Sequence, residues 1–167
     1  MSRIEELEKQ ITELDERKVA LQHELELEKQ KTEIEYSFKN SEKYFVLCPD
    51  GCISDYLWDG SKFDKTRYAQ GNVFKTKEEA AKERDRHLLL TRFRQFRDKC
   101  NGDWKPEVFE CKYFITYDSF KNVLESSWND TWDNFHTFGD FKHERDCLRA
   151  IELFGDEIKR LFVEEEK

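Results

Sequence analysis

Residues 1–35 contain no glycine, no proline and no aromatic ring, the first ring being Tyr36. A polar stretch without turn residues has one regular option, a helix, and its apolar positions decide what that helix does. With Ile4 at heptad position a, the a and d positions are Ile4, Leu7, Ile11, Leu14, Lys18, Leu21 and Leu25. Isoleucine at a with leucine at d favours two parallel strands, and the polar Lys18 at a fixes register at some cost in stability. In a parallel pair, Arg3 faces Glu8 of the second strand and Glu24 faces Lys29, both attractive, and no like charges oppose. Beyond Leu25 the seam meets Glu28 and Thr32 and fades. The competing arrangement is a single amphipathic helix laid back on the rest of the chain. The heptads favour a homodimer, with 1–38 as the coiled-coil dimerisation helix. A coil this short is marginal alone, so the remaining chain is expected to add to the dimer contact.

Charged residues make up 40% of the 167, which alone would suggest disorder. Fourteen Phe, six Tyr and four Trp oppose that reading, because rings need a core to bury them. Only six Gly and two Pro leave little room for long loops. The five cysteines are odd in number and irregularly spaced, unlike a disulfide framework. No apolar run is long enough for a membrane span, and the start has no apolar signal-peptide core, so a cytoplasmic protein is expected. The net charge of −8 disfavours non-specific attraction to nucleic acid.

From Lys43 the character changes. Lys43-Tyr44-Phe45-Val46-Leu47-Cys48 has strand composition, Pro49-Asp50-Gly51 is turn chemistry, and Cys52–Trp58 reads as the returning strand. A polar stretch leads to Gly71-Asn72-Val73-Phe74-Lys75. Thr76 with Glu79 then opens a helix carrying Ala80, Ala81, Leu88, Leu89, Phe93 and Phe96, which stops near Asn101-Gly102. The grammar repeats: Lys112-Tyr113-Phe114-Ile115 answers Lys43–Val46, Trp128 answers Trp58, and Phe141-Lys142-His143 answers Phe74-Lys75-Thr76. A last helix carries Leu148, Ile151, Phe154, Ile158, Leu161 and Phe162. The expectation is an α+β fold of two ββ(β)α halves, 43–102 and 109–167, packed as one domain. One antiparallel or mixed sheet would then carry both helices on one face. Chance likeness between aromatic-rich strands is the alternative.

The run Gly71-Asn72-Val73-Phe74-Lys75-Thr76-Lys77-Glu78-Glu79-Ala80, behind the strand Tyr44-Phe45-Val46, resembles a segment of small accessory proteins encoded by bacterial phages and prophages. The resemblance spans about residues 43 to 98 and its physical content is strand, turn and capped helix. It implies a mobile-element accessory protein in a bacterial host cell, a class that includes inhibitors of host defence such as anti-CRISPR proteins. It assigns no functional residue.

Catalytic patterns are thin. The histidines, His23, His87, His136 and His143, fall in no nucleophile-elbow, zincin or phosphate-loop pattern, so no enzymatic activity is expected. Cys48 and Cys52 with His143 and Cys147 offer the donors of a tetrahedral zinc site, against the plainer role of small buried hydrophobes, and no cofactor is expected. Asp50 with Glu110 and Lys112 matches a metal-dependent nuclease in letters only, the parts lying far apart and Asp50 fitting a turn.

Two surfaces remain. Arg86, Arg94 and Arg97 share a broad face of the first body helix, where they offer phosphate contacts or a solvated helix beside acidic neighbours. Between Tyr117 and Asp140, acids alternate with rings. Trp128, Asp130, Trp132, Asp133 and Phe135 form the candidate partner-binding patch, provided the tryptophans are not both core. Aromatics rimmed by carboxylates suit a basic, nucleic-acid-binding protein surface. The sequence thus leads to a dimeric, non-enzymatic accessory protein that binds a host protein, with inhibition of a nucleic-acid-acting defence enzyme such as a CRISPR effector as the concrete form. A nucleic-acid-binding module using the basic helix is the alternative.

Overall fold

The computed structural model describes residues 2–131 and 136–164 and has an α+β fold. It divides into two units, Met1–Glu42 with Trp58–Gly71, and Lys43–Leu57 with Asn72–Lys167. Among the described residues no helix is long and apolar enough to cross a membrane.

The first unit starts with α1, Arg3–Thr32. Ser2 and Glu5 form a reciprocal capping box, Ser2 N donating to Glu5 Oε2 at 2.6 Å and Glu5 N to Ser2 Oγ at 3.3 Å. The helix ends at Thr32 rather than continuing to residue 38. Thr32 Oγ1 bonds back to the Glu28 carbonyl, Glu33 is extended, and the chain straightens. The rings that follow explain the stop. Phe38 stacks on Trp58 at 5.5 Å, Tyr36 meets Trp58 at 5.7 Å, and Tyr68 lies edge-on to all three. This small aromatic core needs an extended 36–38 segment. Tyr68 is presented by a second helix, α2, Lys62–Ala69, in what the sequence suggested was only a polar connection. Ser61 caps it, and Asp64, only 4% exposed, accepts from the backbone amides of Asp59 at 2.8 Å and Gly60 at 3.2 Å.

The second unit is built on two antiparallel hairpins. Strand β1 (Lys43–Leu47) pairs with β2 (Ile53–Leu57), and β3 (Lys112–Asp118) with β4 (Val123–Asn129). These are separate two-stranded sheets, not the single sheet expected. Each gains a third segment for one bridge only, Phe45 to Phe74 and Tyr113 to Phe141. The reason is local. Thr76 caps α3 (Lys77–Asn101) two residues after Phe74, and His143 starts α4 (Glu144–Ile158) two residues after Phe141. The chain coils before it can extend the ladder. The register also separates the two tryptophans: Trp128 faces Tyr113, whereas the residue facing Tyr44 is Tyr56, and Trp58 lies beyond the end of β2.

Helix α3 is the element on which this unit packs. Leu89 and Phe93 on α3, Phe141 just before α4, Cys147, Ala150 and Ile158 on α4, and Leu161 just after it form one buried cluster. Phe93 has no exposed surface and touches three other rings: Phe138 at 4.8 Å, Phe154 at 5.4 Å and Phe141 at 5.8 Å. Tyr113, Ile115 and Leu124 bring the β3–β4 hairpin onto the same cluster. Helix α4 presents its face through Cys147, Ala150, Ile158 and, in the π-helical turn Lys159–Val163, Leu161. Leu148 and Leu88, expected on inward stripes, are 51% and 56% exposed. Both were assigned by apolar character, but small residues, Ala150 and Cys147, set the contact face of α4.

Truncating the ring at the centre of this cluster leaves a cavity that its neighbours close only in part. Phe93→Ala is expected to lower unfolding free energy by about 3–5 kcal/mol in urea denaturation, with Leu88→Ala within about 0.5 kcal/mol of the parent. Equal losses would show that the core is misassigned.

Candidate functional site

The β3–β4 hairpin carries the described part of the aromatic–acidic patch. Directly opposed pairs place Tyr113, Ile115 and Tyr117 on one face with Trp128, Ser126 and Leu124. Leu124 is drawn into the core, but Trp128 stands near the end of edge strand β4 and remains 59% exposed. At the turn between the strands, Asn122 takes a left-handed conformation (φ 56°) and Phe120 projects fully into solvent. The turn is fixed by Asp118 Oδ1, which accepts from Phe120 N at 2.9 Å and Lys121 N at 3.1 Å. Phe120 is not among the candidate partner-binding residues read from the sequence; the Asp118-x-x-Lys121 turn signal is the available clue to its exposure.

The charge of this hairpin is smaller than the count of acids implies. Lys121 Nζ bridges Asp118 Oδ2 at 3.2 Å and Glu125 Oε1 at 2.9 Å. Bonds from the Lys121 amide and ammonium hold the Asp118 carboxyl below its usual range, and the two carboxylates raise the Lys121 ammonium. Asp140 bonds His136 Nδ1 at 2.8 Å, and the His136 ring stacks on Phe114 at 3.9 Å. Asp130 is half-buried. Trp132, Asp133 and Phe135 lie outside the described residues.

On α1, every described seam position is exposed: Ile4 68%, Leu7 43%, Ile11 60%, Leu14 69%, Leu21 50% and Leu25 57%, with Lys18 exposed among them. The stripe thus has no partner within its own unit.

The basic face of α3 is largely consumed internally. Arg86 Nε donates to the Leu161 carbonyl at 2.8 Å, its guanidinium pairs with Glu83 at 3.1 Å and lies over the Phe162 ring. Arg97 donates to the Phe138 carbonyl at 3.1 Å and to Asp98 at 2.7 Å. It fills the space beside Gly139, where an added Cβ would fall 2.3 Å from its Nη1. Arg94 is exposed. Two of the three candidate phosphate ligands therefore tie the body together, a use that helical periodicity does not reveal.

The metal and nuclease patterns separate. Cys147 is fully buried on α4, where burial pushes its thiol up, and His143 stands at the N-cap position of that helix without a side-chain capping bond. Glu110 accepts from Trp104 Nε1 at 2.8 Å, which lowers its carboxyl, and Lys112 is 5% exposed in β3. Among the described residues, the group of possible donors converging on one point is Cys48, Asp50 and Cys52 in the β1–β2 turn, without His143, Cys147 or Glu110. Asp50 Oδ1 accepts from Cys52 N at 3.0 Å. The Asp50 carboxylate and the Cys48 side chain raise the Cys52 thiol from 9.0 to about 11.

No family model, no curated protein and no solved structure matches the chain significantly.

Asp50 favours the protonated Cys52 thiol, so removing its charge frees the thiolate at lower pH. The alkylation rate of Cys52, followed by peptide mass spectrometry, should rise with a midpoint near pH 11. In Asp50→Asn the midpoint should fall toward 9.0, and an unchanged profile would remove the carboxylate as the cause.

Proposed function

We propose that this chain is a non-enzymatic, dimeric binding protein. In this reading α1 pairs in parallel with α1 of a second copy, and the β3–β4 hairpin grips a host protein through a basic surface. The observation that carries it is the exposed apolar stripe Ile4–Leu25, flanked by charges that complement those of a second strand in parallel register. A stripe of six large aliphatic residues loses apolar area to water unless covered, and a second copy supplies a matching seam. Trp128 and Phe120 supply exposed rings of the kind that anchor interfaces, one near each end of the hairpin, with Asp118 and Glu125 toward the turn and Asp130 just past β4. Two copies on one coil add avidity toward a dimeric or repetitive target.

The concrete form is a phage-type accessory protein that blocks a nucleic-acid-acting defence enzyme by covering its basic groove. The partial neutralisation of the hairpin by Lys121 makes its rings, more than net charge, the source of affinity. The internal use of Arg86 and Arg97 gives direct nucleic-acid binding less support.

Sedimentation of the full chain at micromolar concentration should give a dimer, and Leu14→Asp a monomer with an intact far-ultraviolet spectrum of the body. A monomeric parent sinks the pairing. A stoichiometric excess added to a purified CRISPR effector should reduce DNA binding. Trp128→Ala should weaken that effect at least tenfold, on the scale of a hot-spot ring, about 1.4 kcal/mol or more. Inhibition unchanged by Trp128→Ala and Phe120→Ala would remove the hairpin from the interface.

A further inference from the structure

The β1–β2 turn, Cys48-Pro49-Asp50-Gly51-Cys52, does more than reverse the chain. Its fold follows from its residues. Gly51 takes φ +84°, a left-handed conformation that side chains disfavour, its amide donates to the Cys48 carbonyl at 2.9 Å, and Cys48 N donates to the Cys52 carbonyl at 2.8 Å. The ladder thus continues one pair past Leu47 and Ile53 and sets the two cysteines directly across from each other. Asp50, on the loop between them, is turned back by its bond to Cys52 N. One donor atom from each of the three residues lies within 4.8 Å of the others.

We propose that this turn is a binding site for a thiophilic divalent cation of the zinc class, held by Cys48 Sγ, Cys52 Sγ and a carboxylate oxygen of Asp50, with water in the fourth position. Bond lengths near 2.3 Å to sulfur and 2.0–2.2 Å to oxygen place tetrahedral donors roughly 3.5–3.8 Å apart. Closing from at most 4.8 Å to that spacing is a shift of about 1 Å, within the range of side-chain rotation. Ser54 gives the site an outer partner. Its Oγ lies 3.3 Å from Cys48 Sγ and 3.9 Å from Cys52 Sγ, so the hydroxyl that accepts from the thiol now can turn to donate to a thiolate once metal replaces the proton. Cys52 and Asp50 are exposed and Cys48 is half-buried, so the ion enters from solvent and exchanges with it. Two sulfurs and one carboxylate select zinc-like ions over magnesium or calcium, whose preferred ligands are all oxygen. The other free cysteines lie elsewhere: Cys100 on α3, Cys111 before β3 and Cys147 in the core. The site belongs to a single hairpin and stands whether or not α1 pairs.

The test uses the full chain, reduced and freed of metal, titrated with Co²⁺ and then Zn²⁺. One equivalent of Co²⁺ is expected to give thiolate-to-cobalt charge transfer in the near ultraviolet and tetrahedral visible bands, and Zn²⁺ should bleach both. Cys52→Ser, at an exposed position, should abolish the charge transfer, and so should Cys48→Ser. Asp50→Asn keeps an acceptor for Cys52 N while removing the charged ligand, and should weaken binding at least tenfold. The double variant Cys100→Ser/Cys111→Ser should retain the full signal. Circular dichroism of each variant establishes that it is folded, and cadmium NMR of the parent reports sulfur ligation without any substitution. Absence of a tetrahedral spectrum at one equivalent, Co²⁺ bands that survive in folded Cys52→Ser, or a cadmium resonance in the all-oxygen range would each overturn the proposal. Binding of Mg²⁺ with equal strength would do the same.

Discussion

The contact on which the larger unit rests is the meeting of Phe93 with Phe138, Phe141 and Phe154. It joins the middle of α3 to a distant stretch of chain, the segment that bridges β3 and the helix α4 that follows it. Each ring removed from water contributes on the order of 2–3 kcal/mol, and edge-on packing adds a little. Two-stranded hairpins are barely stable alone, so the β3–β4 hairpin persists because Tyr113, Ile115 and Leu124 reach this cluster. Arg97 and Arg86 finish the same assembly from its edges, donating to the carbonyls of Phe138 in the loop before α4 and Leu161 in the last helical turn.

Local chemistry was legible in the sequence because its range is a few residues. The capping box of Thr76 and Glu79, the Pro49-Asp50-Gly51 turn and the strand composition of Tyr44–Val46 each act within one turn of chain, and each stands where the residues put it. What periodicity does not determine is phase and partner. Leu88 and Leu148 have the right character and face solvent, because close approach of α3 and α4 depends on Ala150 and Cys147, residues too small to register as an apolar stripe. The separation of the two hairpins was not legible, although the helix start two residues after each bridging phenylalanine is local, because which strand that phenylalanine bridges is a long-range choice. Helix α2 was missed for the opposite reason: its Ser61 cap was present, but a polar eight-residue helix with one aromatic anchor, Tyr68, has no stripe to find.

The candidate sites divide in the same way. Spacing alone brought Cys48 and Cys52 together across a turn, but it paired them with His143 and Cys147, whereas the third donor within reach is the intervening Asp50. The arginines of α3 were readable as a basic face, yet their length lets them fold inward to carbonyl acceptors, and only tertiary structure discloses that. The acids of the hairpin were countable, but the ion pairs of Lys121 with two of them are set by the turn that Asp118 builds. Trp128 is exposed because strand β4 is an edge, which its place in the second hairpin strand does not by itself reveal.

Helix α1 stands apart in its energetics. None of its described residues is buried, so what holds it as a monomer is the Ser2–Glu5 box and exposed pairs such as Arg3–Glu6, Lys9–Glu13 and Lys31–Glu28. Each exposed pair is worth a few tenths of a kcal/mol, and the cap about 1 kcal/mol. The sum is small against the backbone entropy of ordering thirty residues, at about 1 kcal/mol or more each, and does little to fix the helix against fraying. Seam burial is larger: six aliphatic side chains per copy, each about half to two-thirds exposed, represent several kcal/mol once covered. On the proposed pairing, helix formation and association are therefore one equilibrium, and α1 is most ordered where the protein is most concentrated. Lys18 then limits the affinity, its ammonium near the seam offsetting part of the aliphatic gain while excluding staggered registers that would bring it against leucine.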